Sequence, residues 1–361
     1  MSPEIRADYP VLKKYTYLNT ASSGILSKSI FEFRRNHDLD FLENASIFRD
    51  KYLDYVHSVK DTLGKVFRCS SDMIGLTPNY SWTINAVAEA LSTNLKVLTV
   101  TGEYPSVVEP FKTRGFEIVT ISGQTQNPEF IIHEIKTHKI DILLISAVQW
   151  DTGNYLTTSD FKEIRAEFPD LLILVDGTQY LGICPFNFLE SGIDAMITSG
   201  YKWLASGYGN GFIMMSNLFL QKANLKIYGN NTIMDRFLTP YHNPGQIWEP
   251  GHIDTLNFTT MQKAIVDLHA FGLDNIEKQI IKLALTLKTG LVQSGYLPAQ
   301  ALSGNKHSGI VLLPGGADLV RKLKDQDILV SFRNGIRVSF HYYNNKEDIT
   351  RFLEAFRLII G

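Results

Sequence analysis

A chain of 361 residues, 44% of them hydrophobic and 20% charged, reads as an ordinary globular protein too long for one small core, so a large domain and a smaller one are expected. The formal net charge of −2 offers no general field for nucleic acid or an anionic membrane. The cysteine count, Cys69 and Cys184 alone, argues against a disulfide framework, and apolar runs such as Leu171–Val175 are too short to span a bilayer.

Along the chain, the first ten residues carry Glu4, Arg6 and Asp8 and no apolar stretch, which predicts a cytoplasmic protein without a signal peptide. Short β-rich runs then alternate with helical patterns. Strands are predicted at Met73–Leu76, Val97–Thr101, Glu117–Ile121, Asp141–Val148, Leu171–Val175, Ala195–Thr198 and Gly211–Ser216. Helices are predicted between them at Ser81–Ser92, Ser106–Arg114, Pro128–Thr137 and Ser159–Phe168. Apolar strands spaced by helices imply an α/β fold whose mostly parallel sheet is covered on both faces. Past residue 250 the pattern changes to one long amphipathic stretch, Thr259–Val292, then strands at Gly309–Leu313, Leu329–Phe332 and Ile336–Phe340, then a helix at Lys346–Leu358. The expected division is an N-terminal segment, 1–30, packing on the small domain, a large domain, 31–250, and a small C-terminal α/β domain, 251–361.

Ligands of open parallel sheets bind beyond the carboxyl ends of the strands. At those ends the sequence places Glu103-Tyr104, Gln149-Trp150-Asp151, Asp176-Gly177-Thr178-Gln179 and Ser199-Gly200-Tyr201-Lys202. Lys202 has small and aromatic neighbours and no adjacent acid, so desolvation can lower its pKa and make it a Schiff-base amine. By itself it could as well be a solvated lysine at a strand end. Asp176 closes the most apolar run, where a buried carboxylate needs a cationic or hydrogen-bonded partner, although Asp-Gly is also a common turn pair. The stretch Thr77–Asn85 opens a helix whose first N–H groups could bind phosphate, or could simply be capped by Asn79 or Ser81.

Other patterns point away from common alternatives. Gly207-Tyr208-Gly209-Asn210-Gly211 precedes a strand, so it is no dinucleotide fingerprint. His133 and His138 are badly spaced for zinc on one helical face, and no metal is expected.

In this order, the motifs resemble the class V aminotransferases of pyridoxal-phosphate (PLP) fold type I, a group that includes cysteine desulfurases, kynureninases and isopenicillin-N-epimerase-like proteins. The resemblance rests on Tyr17-Leu18-Asn19-Thr20-Ala21-Ser22, Asn79–Asn85, Glu103-Tyr104, Asp176-x-x-Gln179, Ser199-x-x-Lys202, Trp248–His252 and Gly335–Phe340 with Tyr343–Ile349. It implies a large domain with a seven-stranded, mostly parallel sheet and a smaller C-terminal α/β domain. It implies PLP held as a Schiff base on Lys202, which is also the catalytic base. Asp176 would pair with the pyridine nitrogen, Gln179 and Gln149 would reach the phenolic oxygen, and Tyr104 would stack on the ring. Tyr80, Ser81 and Ser199 would hold the phosphate, with Tyr201 beside Lys202 and His252 reaching toward the phosphate of a neighbouring subunit in a homodimer. Arg337, with Ala21 and Ser22, would receive the carboxylate of a small amino-acid substrate, although Arg337 alone reads as a strand arginine.

The sequence departs from the family's usual residues at Tyr80 and Ser81 in the phosphate loop, at Tyr201 where many relatives have histidine, and at His252 where they often have threonine. An aminotransferase acting at the α-carbon is the expected activity, with C–S lyase or epimerase as the alternative and a non-catalytic binding module as a rival of another class. Cysteine desulfurase chemistry is not expected. That reaction needs a cysteine shortly before the carboxylate-binding arginine, and Leu319–Gly335 contains none. The segment Tyr228–Trp248 is expected to help line the side-chain pocket.

Overall fold

The computed structural model describes residues 3–122, 127–233, 243–303 and 307–360. Twelve strands occur among them. In chain order they are β1 (Thr16–Tyr17), β2 (Ile74–Thr77), β3 (Val97–Val100), β4 (Ile118–Ile121), β5 (Ile142–Ser146), β6 (Leu172–Asp176), β7 (Ala195–Ser199), β8 (Gly211–Met215), β9 (Ile310–Leu313), β10 (Ile328–Leu329), β11 (Ser331–Phe332) and β12 (Ile336–Ser339).

Seven of them form the main sheet in the order β2-β8-β7-β6-β5-β3-β4. All its neighbouring pairs are parallel except those of β8, which runs antiparallel to β2 and to β7. The fold is α/β, of PLP fold type I. Every residue of β5, β6, β7 and β8 is buried, because helices cover both faces and a solvent face would have required alternation with polar residues. Alternation survives as a choice between two apolar layers. Leu172, Leu174 and Ile197 pack with Ile84, Val87 and Phe111 in one layer. Ile173, Val175 and Met196 pack with Leu63, Phe67 and Phe161 in the other.

The helices start where the local chemistry supplies caps. Asn79 Oδ1 accepts from the Trp82 N–H at 2.9 Å and opens helix Tyr80–Ala90. Thr157 and Asp160 cap one another's backbone at the start of helix Thr158–Glu167.

Two elements differ from the sequence reading. The amphipathic stretch expected over Thr259–Val292 is two helices, Thr255–Phe271 and Leu273–Gln293, broken at Gly272 where φ is +94°. The first packs on helices Tyr52–Phe67 and Lys28–Asp50, the second on helix Lys346–Ile360. The strand expected at Leu329–Phe332 is divided between two sheets: β10 pairs with β1, while β11 joins the antiparallel sheet β11-β12-β9. The N-terminal segment is fastened there by a bidentate Arg6–Asp348 pair, both contacts 2.8 Å, and by the hydroxyls of Tyr9 and Tyr342. No helix among the described residues is long and apolar enough to cross a membrane.

Candidate active site

Strands β5, β6 and β7 run parallel and end together, so the loops that follow them converge. Between β3 and β5 the chain order reverses, which opens a crevice at that edge. A cavity of about 690 Å³ lies at these ends, lined among others by Tyr80, Tyr104, Trp150, Asp176, Ser199 and Lys202.

Lys202 sits on the loop after β7, and only 8% of its surface is exposed. The loop is fixed from both sides. The Gly24 N–H donates to the Tyr201 carbonyl at 2.7 Å, and the Ser206 and Ala205 N–H groups close turns on Gly200 and Lys202. Gly24 has to be glycine here, because a Cβ would stand 2.1 Å from the Lys202 carbonyl oxygen. Lys202 Nζ lies 5.7 Å from the Tyr104 ring centre and 5.5 Å from that of Tyr201. Burial outweighs the attraction of Asp176, and the Lys202 pKa falls to about 8.

Asp176 is the last residue of β6. Its Oδ1 accepts the Thr178 N–H at 2.8 Å, so the turn geometry and the buried position are both real. Desolvation raises its carboxyl to about 6 despite the help of Thr178. A cation placed against it would relieve that cost. Ser199 ends β7, and its Oγ accepts the Tyr80 N–H at 2.8 Å at the start of helix Tyr80–Ala90. Ser81 is exposed at the cavity rim, its Oγ bonded to Ser106.

Arg337, in β12, is 2% exposed and makes no ion pair among the described residues. Its guanidinium donates to Ser22 Oγ (2.6 Å), the Trp150 carbonyl (2.5 Å) and Ser331 Oγ (3.1 Å). Desolvation, followed by the charge of Arg333, lowers its pKa to about 10. A buried guanidinium with no direct ion pair, on which Asp151 acts only at longer range, is a receptor for an anion. Ala21 stands beside it, held through its N–H by Ser339 Oγ and through its carbonyl by Gln179 Nε2.

Five of the residues singled out from sequence do not line the cavity: Arg337, Ala21 and Ser22 stand behind it, Arg337 joined to it through the Trp150 carbonyl, and Gln149 and His252 are turned elsewhere. Gln149 is buried behind it, its Nε2 donating to Glu103 at 2.8 Å. His252 is exposed, with its ring 4.7 Å from that of Tyr52. Gln179 does line the cavity, but its amide is engaged at both ends, with Ala21 and with the Trp203 indole. Of the expected side-chain segment Tyr228–Trp248, residues 234–242 lie outside the described residues, and Trp248 is buried against Gly75.

Sequence reading passed over Tyr208, which lines the cavity stacked on Tyr201 at 4.9 Å. Its signal was the Gly-Tyr-Gly turn six residues past the lysine, considered above only as a dinucleotide motif. Trp150 lines the cavity too, its ring 5.5 Å from Tyr104.

The sequence profile described as "Aminotransferase class-V" matches residues 48–352. The chain belongs to the class V aminotransferase family. Among curated members, it is 22% identical to a probable cysteine desulfurase of Pyrococcus abyssi, over 97% of this chain and 95% of that one. A match to the kynureninase of Saccharomyces cerevisiae, 24% identical, covers 43% of this chain and 36% of the relative. Among solved structures, the cystine C–S lyase C-DES in complex with cysteine persulfide superposes with a TM-score of 0.86 at 21% identity, covering 96% of this chain and 98% of that one. The apo cysteine desulfurase of Thermococcus onnurineus gives 0.87 at 21% identity, over 100% and 98%.

As in the family, the cofactor of this class V protein is PLP. The cavity suits it on the residues alone. A lysine amine with a depressed pKa shares the cavity with a buried carboxylate to which it makes no direct ion pair. The Tyr80 hydroxyl is buried without a hydrogen-bond partner, which a bound group could supply.

Proposed function

We propose that this class V enzyme is a PLP-dependent C–S lyase, acting on cysteine or a cysteine derivative by elimination and using no protein persulfide. The observation that carries this reading is where the two cysteines lie. Cys69 is buried beside the β2 entry, and Cys184 is buried against Tyr155; neither lines the cavity. Burial pushes both thiols up to about 12, so neither is a ready nucleophile. Relatives named as cysteine desulfurases and a structural neighbour named as a cystine C–S lyase support a sulfur-containing substrate. Transamination, the family's generic outcome, has no specific support among them.

When bound, PLP supplies an electron sink for charge left on the substrate α-carbon. The residues of the chain do the rest. Lys202 would hold the cofactor, and its Nζ would accept the α-proton of the substrate. Asp176 would keep the ring nitrogen protonated. Tyr104 would cover one ring face, with Ser199 and Ser81 at the phosphate, while the Tyr80 and Trp82 N–H groups stay with Ser199 and the Asn79 cap. Arg337 and Ser22 would bind the carboxylate, which turns the α-carbon toward Lys202. Elimination of the sulfur substituent after removal of the α-proton, followed by hydrolysis, would give pyruvate and ammonia. For cysteine the balance is cysteine plus water to pyruvate, ammonia and hydrogen sulfide.

A homodimer is part of this proposal. His252 is exposed on a turn held to the body by the buried Lys60–Glu249 pair at 3.2 Å, a rigid segment suited to reach a second copy.

The test is to incubate the holoenzyme with L-cysteine and with L-cystine and identify the products by mass. Pyruvate and ammonia without any added oxo acid are expected. Alanine with a protein-bound persulfide would make it a desulfurase, and turnover that requires an oxo acid would make it an aminotransferase.

A further inference from the structure

Glu103 follows β3 and is 8% exposed, with no cationic partner among the described residues. Its carboxylate collects four donors. Oε1 accepts from the Tyr104 N–H at 2.8 Å and from Ser146 Oγ at 2.6 Å. Oε2 accepts from the Ser146 N–H and from Gln149 Nε2, both at 2.8 Å. Two of the groups so held, Tyr104 and Ser146, line the cavity, while Glu103 itself stands one layer behind. Ser146 is also the register partner of Asp176 between β5 and β6. One carboxylate therefore ties the end of β3 to the end of β5, across the point where strand order reverses and next to the strand that carries Asp176.

The donor set decides the charge state. Two backbone N–H groups cannot accept a proton, so a neutral carboxyl would have to turn the Ser146 hydroxyl or the Gln149 amide into an acceptor and lose that donor. An amide fails for the same reason. With its nitrogen at the Oε1 position it would confront the Tyr104 N–H, and at the Oε2 position the Ser146 N–H. Glutamine could turn its own amide and serine its hydroxyl, but neither backbone group can adapt. Only an ionised carboxylate satisfies all four donors.

We propose that Glu103 is a positioning residue of this site, an ionised carboxylate that holds Tyr104, Ser146 and Gln149 and sets a fixed negative charge beside Asp176. It does not itself line the cavity. Through Tyr104 it keeps the aromatic ring over the cavity next to Lys202. Through its charge it favours protonated groups in the cavity. Burial raises its own pKa, and the four donors work against that rise. The titratable groups that face it are Asp176 and Tyr80, both of which feel its charge.

This inference rests on the cavity being the PLP site, and its main readout needs no substrate. In the holoenzyme of Glu103→Gln, the pH midpoint of the cofactor's visible absorbance should fall by about half a unit or more, because a negative charge that favours protonation is gone. Turnover should drop about tenfold or more in kcat with KM within about threefold, the pattern of a misplaced rather than a missing contact. A purely structural residue would lower the melting temperature and leave the midpoint where it was, and that result overturns the proposal. If Glu103→Gln does not fold, Gln149→Ala removes one donor from a carboxylate that stays ionised, so its charge is less compensated and the midpoint should rise by a smaller step; a midpoint that stays or falls overturns the proposal. Should the wild-type enzyme release no pyruvate from cysteine, the proposed reaction fails while the absorbance midpoint still tests Glu103.

Discussion

Arg337 Nη2 donates to Ser22 Oγ at 2.6 Å, a contact between residues 315 positions apart that joins the two ends of the chain at the proposed carboxylate site. Ser22 belongs to the segment that β1 anchors to β10, and Arg337 lies in β12, so the site exists only when the N-terminal segment is docked. Arg337→Ala should raise KM for an amino-acid substrate roughly a hundredfold while leaving the cofactor spectrum unchanged. Ser22→Ala should raise it only a few-fold, since the guanidinium keeps its other bonds. Steady-state kinetics beside cofactor titration checks both, and a loss of PLP binding in Arg337→Ala would mean that the arginine supports the cofactor instead.

Lys202 titrates near 8 in the folded chain, below the ordinary lysine value of about 10.4. The neutral amine is the nucleophile, so uptake of PLP by cofactor-free protein should accelerate with pH through a midpoint near 8 and then level off. Between about 8 and 10.4 the unfolded chain binds more protons at this residue than the folded one, so this group's contribution to stability rises with pH there. Stopped-flow absorbance gives the rate profile. Lys202→Ala should remove both the covalent complex and turnover with the fold intact, as circular dichroism would report.

Asp176 has the opposite sign. Its folded pKa of about 6 lies above the unfolded value of about 3.9, so the cofactor-free protein loses stability from this group as pH rises through 6. Asp176→Asn should stabilise the cofactor-free protein at pH 8 by roughly 1 to 2 kcal/mol. Turnover should nevertheless fall by orders of magnitude, because an amide cannot hold a protonated ring nitrogen. Denaturant melts at pH 5 and pH 8 measure the first effect, and product assays the second. Near-normal turnover would reduce Asp176 to a turn cap for Thr178.

Gly24→Ala tests the seat of the lysine loop. A Cβ there would meet the Lys202 carbonyl oxygen at 2.1 Å and the Ala205 Cα at 3.0 Å, both backbone atoms that cannot turn aside. The overlap should cost roughly 1 to 3 kcal/mol of stability and weaken PLP binding about tenfold, although residue 24 touches no cofactor. Fluorescence titration with PLP is the measurement, and unchanged affinity would show the loop to be softer than its hydrogen bonds suggest.

The double substitution Cys69→Ser and Cys184→Ala should leave turnover on cysteine within about twofold, with at most roughly 1 to 3 kcal/mol of lost stability from the buried sites. Intact mass after exposure to cysteine should show no added sulfur on the wild-type chain. A persulfide on either residue would reverse the proposed chemistry.

The sequence by itself determined the seven strands of the main sheet and the residues at their carboxyl ends. Runs such as Leu172–Val175 are apolar at every position, and the turn and cap residues that flank them are local signals. It also singled out Lys202, Asp176 and Arg337 as candidates for chemical roles, since each stands in a recognisable order of motifs. Directions and partners were decided by tertiary structure. Gln149 faces Glu103 rather than the cavity because the end of β5 turns it toward a carboxylate from β3, a neighbour in space 46 positions away in sequence. The division of the expected strand 329–332 depends on β1 arriving from the other end of the chain to claim Leu329, and no local propensity encodes that arrival. The break at Gly272 was visible as a lone glycine, but a glycine inside a helical pattern costs only about 1 kcal/mol, and packing on two different bodies chose to break the helix there. Depressed and raised pKa values belong to the same category: desolvation depends on everything that surrounds a group, and only the assembled fold supplies those surroundings.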